Sequence, residues 1–339
     1  MNVSGLPITE KPRFSSVFQV RPHDRPLPLK VGTRGSPLAL TQTRNVIGRL
    51  QQICPALQGQ GTAEHIITTT GDASQASGCR LADIGGKGLF SKEIDEAMLA
   101  GRIDIAVHSL KDLETVLRPG IVLGCVLPRA DARDVLVLGP ECGPVNPAKP
   151  WDCLPYGALI GTASVRRQAQ LLHARPDLKI EVIRGNVTTR LNKVAAKRYD
   201  ATLLAYAGLL RLQLASQASL VIDPEFMVPA AGQGIVGITV RESDHQMREL
   251  LAAIEDPEAR AVSLAERSML AVLDGSCNTP IGAHAVVSSD QTLSLTGLVA
   301  SIDGQSLVKR RLAGKMGDAA QIGATLGAVL KQLTSNWVF

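Results

Sequence analysis

Four short segments of this chain concentrate side chains that bind negative charge. Thr33-Arg34-Gly35-Ser36-Pro37-Leu38-Ala39 sets an arginine and a hydroxyl where a β-branched run gives way to a proline-opened helix. Val107-His108-Ser109-Leu110-Lys111-Asp112 ends another such run in a Lys–Asp pair. Gly161-Thr162-Ala163-Ser164-Val165-Arg166-Arg167 and Arg184-Gly185-Asn186-Val187-Thr188-Thr189-Arg190 repeat the pattern of strand end, small polar turn and helix start. Ligands meet α/β sheets at strand ends, and the free amides of a helix N-terminus favour anions. A single arginine at a helix start reads more readily as a surface ion pair. Four such sites, each with arginine or lysine, predict a ligand carrying several carboxylates, because the guanidinium fork matches a carboxylate bidentately. A fifth segment, Asp274-Gly275-Ser276-Cys277-Asn278-Thr279-Pro280-Ile281-Gly282, puts a thiol in a loop after a helix, where it can be accessible. Alone, Cys277 could equally be a loop thiol without a role.

The elements that must position these groups alternate along the chain. Strands are expected at Val31–Arg34, His65–Thr70, Ile103–Val107, Ala158–Gly161 and Ile180–Ile183. Helices are expected at Pro37–Ile53, Lys92–Leu99, Val165–Ala174 and Thr188–Lys197. Such alternation predicts α/β domains with buried sheets. Gly139–Pro155, rich in Pro and Gly, is a loop within the second unit. After Pro257 the order changes: a helix over Glu258–Leu273, strand-like runs at Ala285–Val287, Leu293–Leu298 and Leu307–Arg311, then a helix over Ala319–Leu333. That order predicts a small α+β domain.

Composition removes several classes of function. The 339 residues are 45% hydrophobic and 20% charged, the balance of an ordinary globular chain. Aromatics are only 3%, too few for the stacking platforms of single-strand nucleic-acid binding. The net charge of +5 is scattered rather than gathered in a basic block, so neither nucleic acid nor membrane is an expected partner. Six cysteines without a C-x-x-C pair, and no recognisable signal segment, predict reduced thiols in a cytoplasmic protein. The six histidines show no ligand spacing, so no metal is expected. Gly232-Gln233-Gly234-Ile235-Val236-Gly237 satisfies G-x-G-x-x-G, but its flanks read as a turn entering a strand, which excludes a dinucleotide site. Gly85-Gly86-Lys87-Gly88 lacks the leading glycine and trailing hydroxyl of a P-loop.

Together with Gly85-Gly86-Lys87-Gly88-Leu89-Phe90, Ala207-Gly208-Leu209 and Ala231-Gly232-Gln233-Gly234, the five segments resemble the porphobilinogen deaminase (hydroxymethylbilane synthase) family in order and spacing, from about Lys30 to the C-terminus. The resemblance implies two α/β domains like those of periplasmic binding proteins plus a small α+β C-terminal domain. Residues 1–29 would be a flexible extension, 30–128 with 234–253 domain one, 133–228 domain two, and 256–339 domain three. It further implies a transferase that condenses porphobilinogen head to tail on a dipyrromethane primer, held as a thioether by Cys277, and releases hydroxymethylbilane for tetrapyrrole synthesis. Porphobilinogen is then the small-molecule partner, and a monomer is expected.

By the same matching, Asp112 is the catalytic carboxylate, facing the positive charge that develops as porphobilinogen loses ammonia, with Lys111 beside it. Ser164, Arg166, Arg167, Lys111 and Arg190 would hold the cofactor. Arg34, Ser36, Arg184, Arg190 and Arg211 would hold substrate carboxylates. Lys87 and Phe90 fall in a loop over the site. Departures from the family pattern are Asp83 and Leu210 in place of basic or amide residues, Thr70 in place of an arginine, and Leu113-Glu114 after the catalytic aspartate. Two other readings stay open. A non-catalytic anion-binding protein would need neither Asp112 nor Cys277, and a thiol-dependent transferase would use Cys277 only transiently.

Overall fold

The computed structural model describes residues 26–72, 90–274, 279–335 and 337. The chain enters the fold in β1 (Leu29–Thr33), whose Leu29, Val31 and Thr33 are buried. Helix α1 (Pro37–Ile53) follows at once. Ser36 caps it by accepting a hydrogen bond from Ala39 N at 3.3 Å, and Pro37 occupies the first turn, where its missing N–H costs nothing. Val46, Ile47 and Leu50 of α1 then cover Val31 and the apolar side chains of the neighbouring strands. Strand β2 (Thr62–Ile66) pairs in parallel with one side of β1, and β3 (Ile105–Ser109), which follows α2 (Lys92–Leu99), with the other. Parallel neighbours bring their C-terminal ends to one edge. Arg34, directly after β1, and Lys111–Asp112, in the single helical turn after β3, therefore share that edge.

Strand β4 (Ile121–Val126) completes this sheet only with help from a distant strand, β10 (Val236–Arg241), so that the order is β2-β1-β3-β10-β4. In between, the chain crosses away and builds a second sheet from β5 (Asp134–Leu138), β6 (Leu159–Gly161), β7 (Lys179–Glu181), β8 (Ala201–Ala205) and β9 (Leu220–Val221), ordered β7-β6-β8-β5-β9. Helices α3 (Val165–Ala174), α4 (Val187–Ala195) and α5 (Tyr206–Arg211) belong to this unit. The two sheets share one plan: three parallel strands, then one antiparallel strand that also pairs with the edge strand beyond it. The return crossing leads into β10 (Val236–Arg241). The outgoing and returning segments bond to each other, Leu127 N to Val236 O at 3.0 Å and Ala130 N to Gly234 O at 3.1 Å. Gly234 lies at φ +89°, and a Cβ there would stand 2.4 Å from Ala130 O, so only glycine permits this crossing.

The glycine-rich segment expected to be a turn into a strand is one: Gly232 and Gly234 have positive φ and β10 begins at Val236. After α6 (His245–Ala252), α7 (Pro257–Val272) and α8 (Ala319–Leu333) pack on an antiparallel sheet of β11 (Ile281–Val287), β12 (Thr292–Ala300) and β13 (Leu307–Lys315). These strands are longer than the apolar runs because hairpin pairing extends into their polar ends. Strand β2 differs from expectation, occupying Thr62–Ile66 rather than His65–Thr70. The β-branched run beyond Ile66 turns instead: Thr69 Oγ1 donates to Asp72 Oδ2 at 2.8 Å, and Asp72 N donates to Thr69 O at 3.0 Å.

Candidate active site

On the edge formed by β1 and β3, Arg34, Ser36, Leu38, Gln42, Phe90, His108, Ser109 and Asp112 line one pocket. The Arg34 guanidinium lies over the Phe90 ring, 4.2 Å from its centroid, a favourable cation–π geometry. Its Nη1 is 3.8 Å from Asp112 Oδ2. Its Nε donates to Asp72 Oδ2 at 3.1 Å and its Nη2 to Asp72 Oδ1, so an internal carboxylate holds the fork expected to take a substrate carboxylate. The Ser36 Oγ lone pair is used by the α1 cap, which leaves its O–H free to donate. Gln42 and Ser109, which bond at 3.0 Å, join the pocket although only their spacing to Ser36 and Lys111 could have signalled them. His108 Nε2 pairs with Thr239 Oγ1 at 3.0 Å, and burial pushes its pKa down to about 4, so the ring is neutral.

Lys111 donates from Nζ to Gln233 Oε1 at 3.3 Å. Burial pushes its ammonium down to about 8; Asp112 and Asp134 oppose that shift, while Arg167 and Arg166 add to it.

The second sheet brings its own cations to the strand ends. Ser164, after β6, caps α3 by accepting from Arg167 N at 3.4 Å, and Asn186 caps α4 by accepting from Thr189 N at 3.0 Å. Arg190 donates from Nε to Gly185 O at 2.9 Å. Burial pushes its pKa down to about 10, and the nearby Arg167 and Arg184 push the same way, whereas Asp112 opposes them. Arg184 itself sits beside Lys193, which donates to its carbonyl at 3.1 Å. Arg211 donates to Gly234 O at 2.6 Å, and burial lowers its pKa to about 10. The cations beside Arg190 add to its burial in disfavouring the guanidinium and so favour an anionic ligand there.

Arg166 and Arg167 are placed differently from the other cations. Both are buried and both are bound to Asp134, Arg166 Nη1 at 2.8 Å from Oδ2 and Arg167 Nη2 at 2.7 Å from Oδ1. Arg166 also donates to Val228 O at 2.7 Å and Arg167 to Leu203 O at 2.8 Å. The two guanidiniums expected to hold cofactor carboxylates thus already share a carboxylate of the protein. Sequence reading missed Asp134, whose only signal is a charged residue opening an apolar run.

Two residues of α7 complete the surroundings. Glu266, fully buried, accepts from Arg129 Nη1 at 2.8 Å, Gly232 N at 2.6 Å and Ala285 N at 2.7 Å, so it joins both crossings to the third sheet. Arg267 donates to Glu114 O at 2.6 Å and Thr115 O at 3.0 Å, bracing the residues that follow Asp112. Both were legible only as charges interrupting an apolar helix. Thr70 N donates to Glu93 Oε1 at 3.1 Å, and Leu210 is 39% exposed. Cys277, Lys87 and Asp83 lie outside the described residues.

Among solved structures the chain resembles a periplasmic sulfonate-binding protein from Methylobacillus flagellatus, 13% identical, covering 70% of this chain and 66% of that one with a TM-score of 0.36. Sequence relatives are much nearer. A porphobilinogen deaminase from Nitrobacter winogradskyi is 46% identical over 91% of this chain and 94% of its own length. One from Synechococcus elongatus is 44% identical over 90% and 92%. A chloroplastic porphobilinogen deaminase from Oryza sativa is 45% identical over 84% and 78%. Residues 29–249 match the family model described as the porphobilinogen deaminase, dipyrromethane cofactor binding domain, and residues 261–332 match the model of its C-terminal domain. These matches span most of the chain and both edges of the cationic site, and this chain belongs to the porphobilinogen deaminase family.

Proposed function

We propose that this chain is a hydroxymethylbilane synthase that condenses porphobilinogen into a linear tetrapyrrole. The observation that carries the reading is the Asp112 carboxylate, set among Arg34, Lys111 and Arg190. A purely anion-binding cleft gains nothing from a carboxylate among its cations, whereas a reaction that develops positive charge needs one.

The donor set fits a dipyrromethane, whose two rings each carry an acetate and a propionate. Burial, and after it the neighbouring cations, depress Arg190 and Lys111, a penalty that bound carboxylates relieve. When bound, the dipyrromethane supplies a nucleophilic pyrrole α-carbon. Ser164, Lys111 and Arg190 would hold it, with Arg166 and Arg167 shaping its wall through Asp134, and Cys277 would be its attachment point. Arg34, Ser36, Arg184 and Arg211 would orient the acetate and propionate of the incoming porphobilinogen. Asp112 would face the pyrrole N–H, stabilise the positive charge that grows as the amino group of the aminomethyl substituent departs as ammonia and its methylene carbon stays on the ring, and take up and return a proton. Phe90 would hold Arg34 flat against the pocket, and Lys87 would belong to the loop over it.

The reading includes a cytoplasmic monomer with no nucleic-acid or membrane partner. Among the described residues no helix is long and apolar enough to cross a membrane. Incubation of the purified protein with porphobilinogen, following ammonia release and the linear tetrapyrrole together, tests the function. Both should appear in fixed proportion, and binding without consumption would overturn it.

A further inference from the structure

Lys111 is the one lysine at the strand end that carries Asp112, yet its ammonium donates not to a carboxylate but to a neutral amide, Gln233 Oε1 at 3.3 Å. Gln233 is fully buried, on the returning crossing between Gly232 and Gly234. The other end of the same side chain donates from Nε2 to Ala132 O at 2.7 Å and to Asp134 Oδ1 at 2.9 Å. Those two partners accept only, because Asp134 is held as a carboxylate by Arg166 and Arg167. The amide therefore cannot flip, and its carbonyl is fixed toward Lys111. Its backbone is fixed as well: a Cβ at Gly232 would stand 2.9 Å from Leu110, and one at Gly234 would meet Ala130 O.

We propose that Gln233 is the positioning residue of Lys111: its carbonyl holds the ammonium toward the cleft, and its amide ties that placement to Asp134 across the two crossings. The inference rests on the reading of Lys111 as a carboxylate-holding residue. Lys111 belongs to the first sheet unit and Asp134 opens a strand of the second, so one side chain spans the junction on which the two units would move. The charged groups that act on Lys111 are Asp112 and Asp134, which favour the ammonium, and Arg166 and Arg167, which disfavour it. Gln233 adds an acceptor without adding charge. It also stands between Lys111 and Asp134, keeping the ammonium available to a ligand carboxylate.

The test measures the titration of Lys111 itself. The holoenzyme and its Gln233→Met and Gln233→Glu variants are labelled with trace acetic anhydride across a pH series, and acetylation of Lys111 is read by peptide mass mapping. Loss of the acceptor in Gln233→Met should move the Lys111 titration down by about one pH unit, a tenfold change in its protonation equilibrium. The added acid in Gln233→Glu should move it up. The alkaline limb of kcat/KM should follow in each case. A residue that only staples the crossings would change the thermal midpoint of both variants and leave the Lys111 titration where the wild type has it, which overturns the proposal. If Gln233→Met does not fold, Gln233→Glu decides alone. If the wild type consumes no porphobilinogen while the Lys111 titration still shifts, the functional reading fails and the positioning role stands.

Discussion

Arg34 Nη1 stands 3.8 Å from Asp112 Oδ2, too far for a hydrogen bond and near enough for the charges to attract. The aspartate is thus held in the pocket without having its lone pairs used up. Replacing it by asparagine keeps the shape and removes the charge. Asp112→Asn should lower turnover by roughly 10²- to 10⁴-fold, with the thermal midpoint almost unchanged. Steady-state assays beside a melting curve check this, and retained turnover would remove Asp112 from the mechanism.

Lys111 is tuned for a ligand at the expense of the empty protein. Its folded pKa of about 8 lies below the ordinary lysine value of 10.5, so the folded state binds its proton less well than the unfolded chain. That penalty is fully present below pH 8 and disappears as pH rises through the ordinary value. In a cofactor-free Cys277→Ser background, Lys111→Met should raise stability at neutral pH by up to about 3 kcal/mol. The gain should shrink toward pH 10. Denaturant titrations at both pH values measure it; destabilisation at neutral pH would contradict the assignment.

Asp134 carries the opposite sign. Burial alone would raise its pKa, but Arg166 and Arg167 hold it well below the usual carboxylate range. Its contribution to stability is present above the ordinary aspartate pKa and is lost as pH falls below it. Asp134→Asn leaves two buried guanidiniums without their counter-charge and should cost roughly 3–5 kcal/mol. A melting curve that does not move would show that the two arginines find other partners.

Much of the local structure around this site is legible in the sequence. Ser36, Pro37, Ser164 and Asn186 mark helix starts by local chemistry, and a helix start after a β-branched run is a strand end. The bounds of α1, α2, α3 and α8 follow from such local signals and coincide with expectation. What stayed hidden depends on contacts between residues far apart in the chain. Asp134 lies 32 residues from Arg166 and 99 from Gln233, and nothing local marks it as their common partner. Likewise the turn at Thr69–Asp72 wins over the strand propensity of three successive threonines because Asp72 is drawn to Arg34. Arg34 directly follows β1 and Arg190 lies in the first turns of α4, but their being brought near Asp112 is a property of parallel pairing and the crossings.

Recognition through carboxylates in a partly exposed cleft should be sensitive to salt. At about 1 M ionic strength the screening length falls to ~3 Å, so KM for porphobilinogen should rise several-fold while kcat changes less. A KM independent of salt would argue that the cations at Arg34, Arg184 and Arg211 do not meet the substrate's acetate and propionate.

The intact mass of the purified protein tests the central claim most directly. A chain that carries its own primer should be heavier than its sequence by two condensed porphobilinogen units, and Cys277→Ser should have the mass of the sequence alone. An unmodified wild-type chain with full activity would contradict the account.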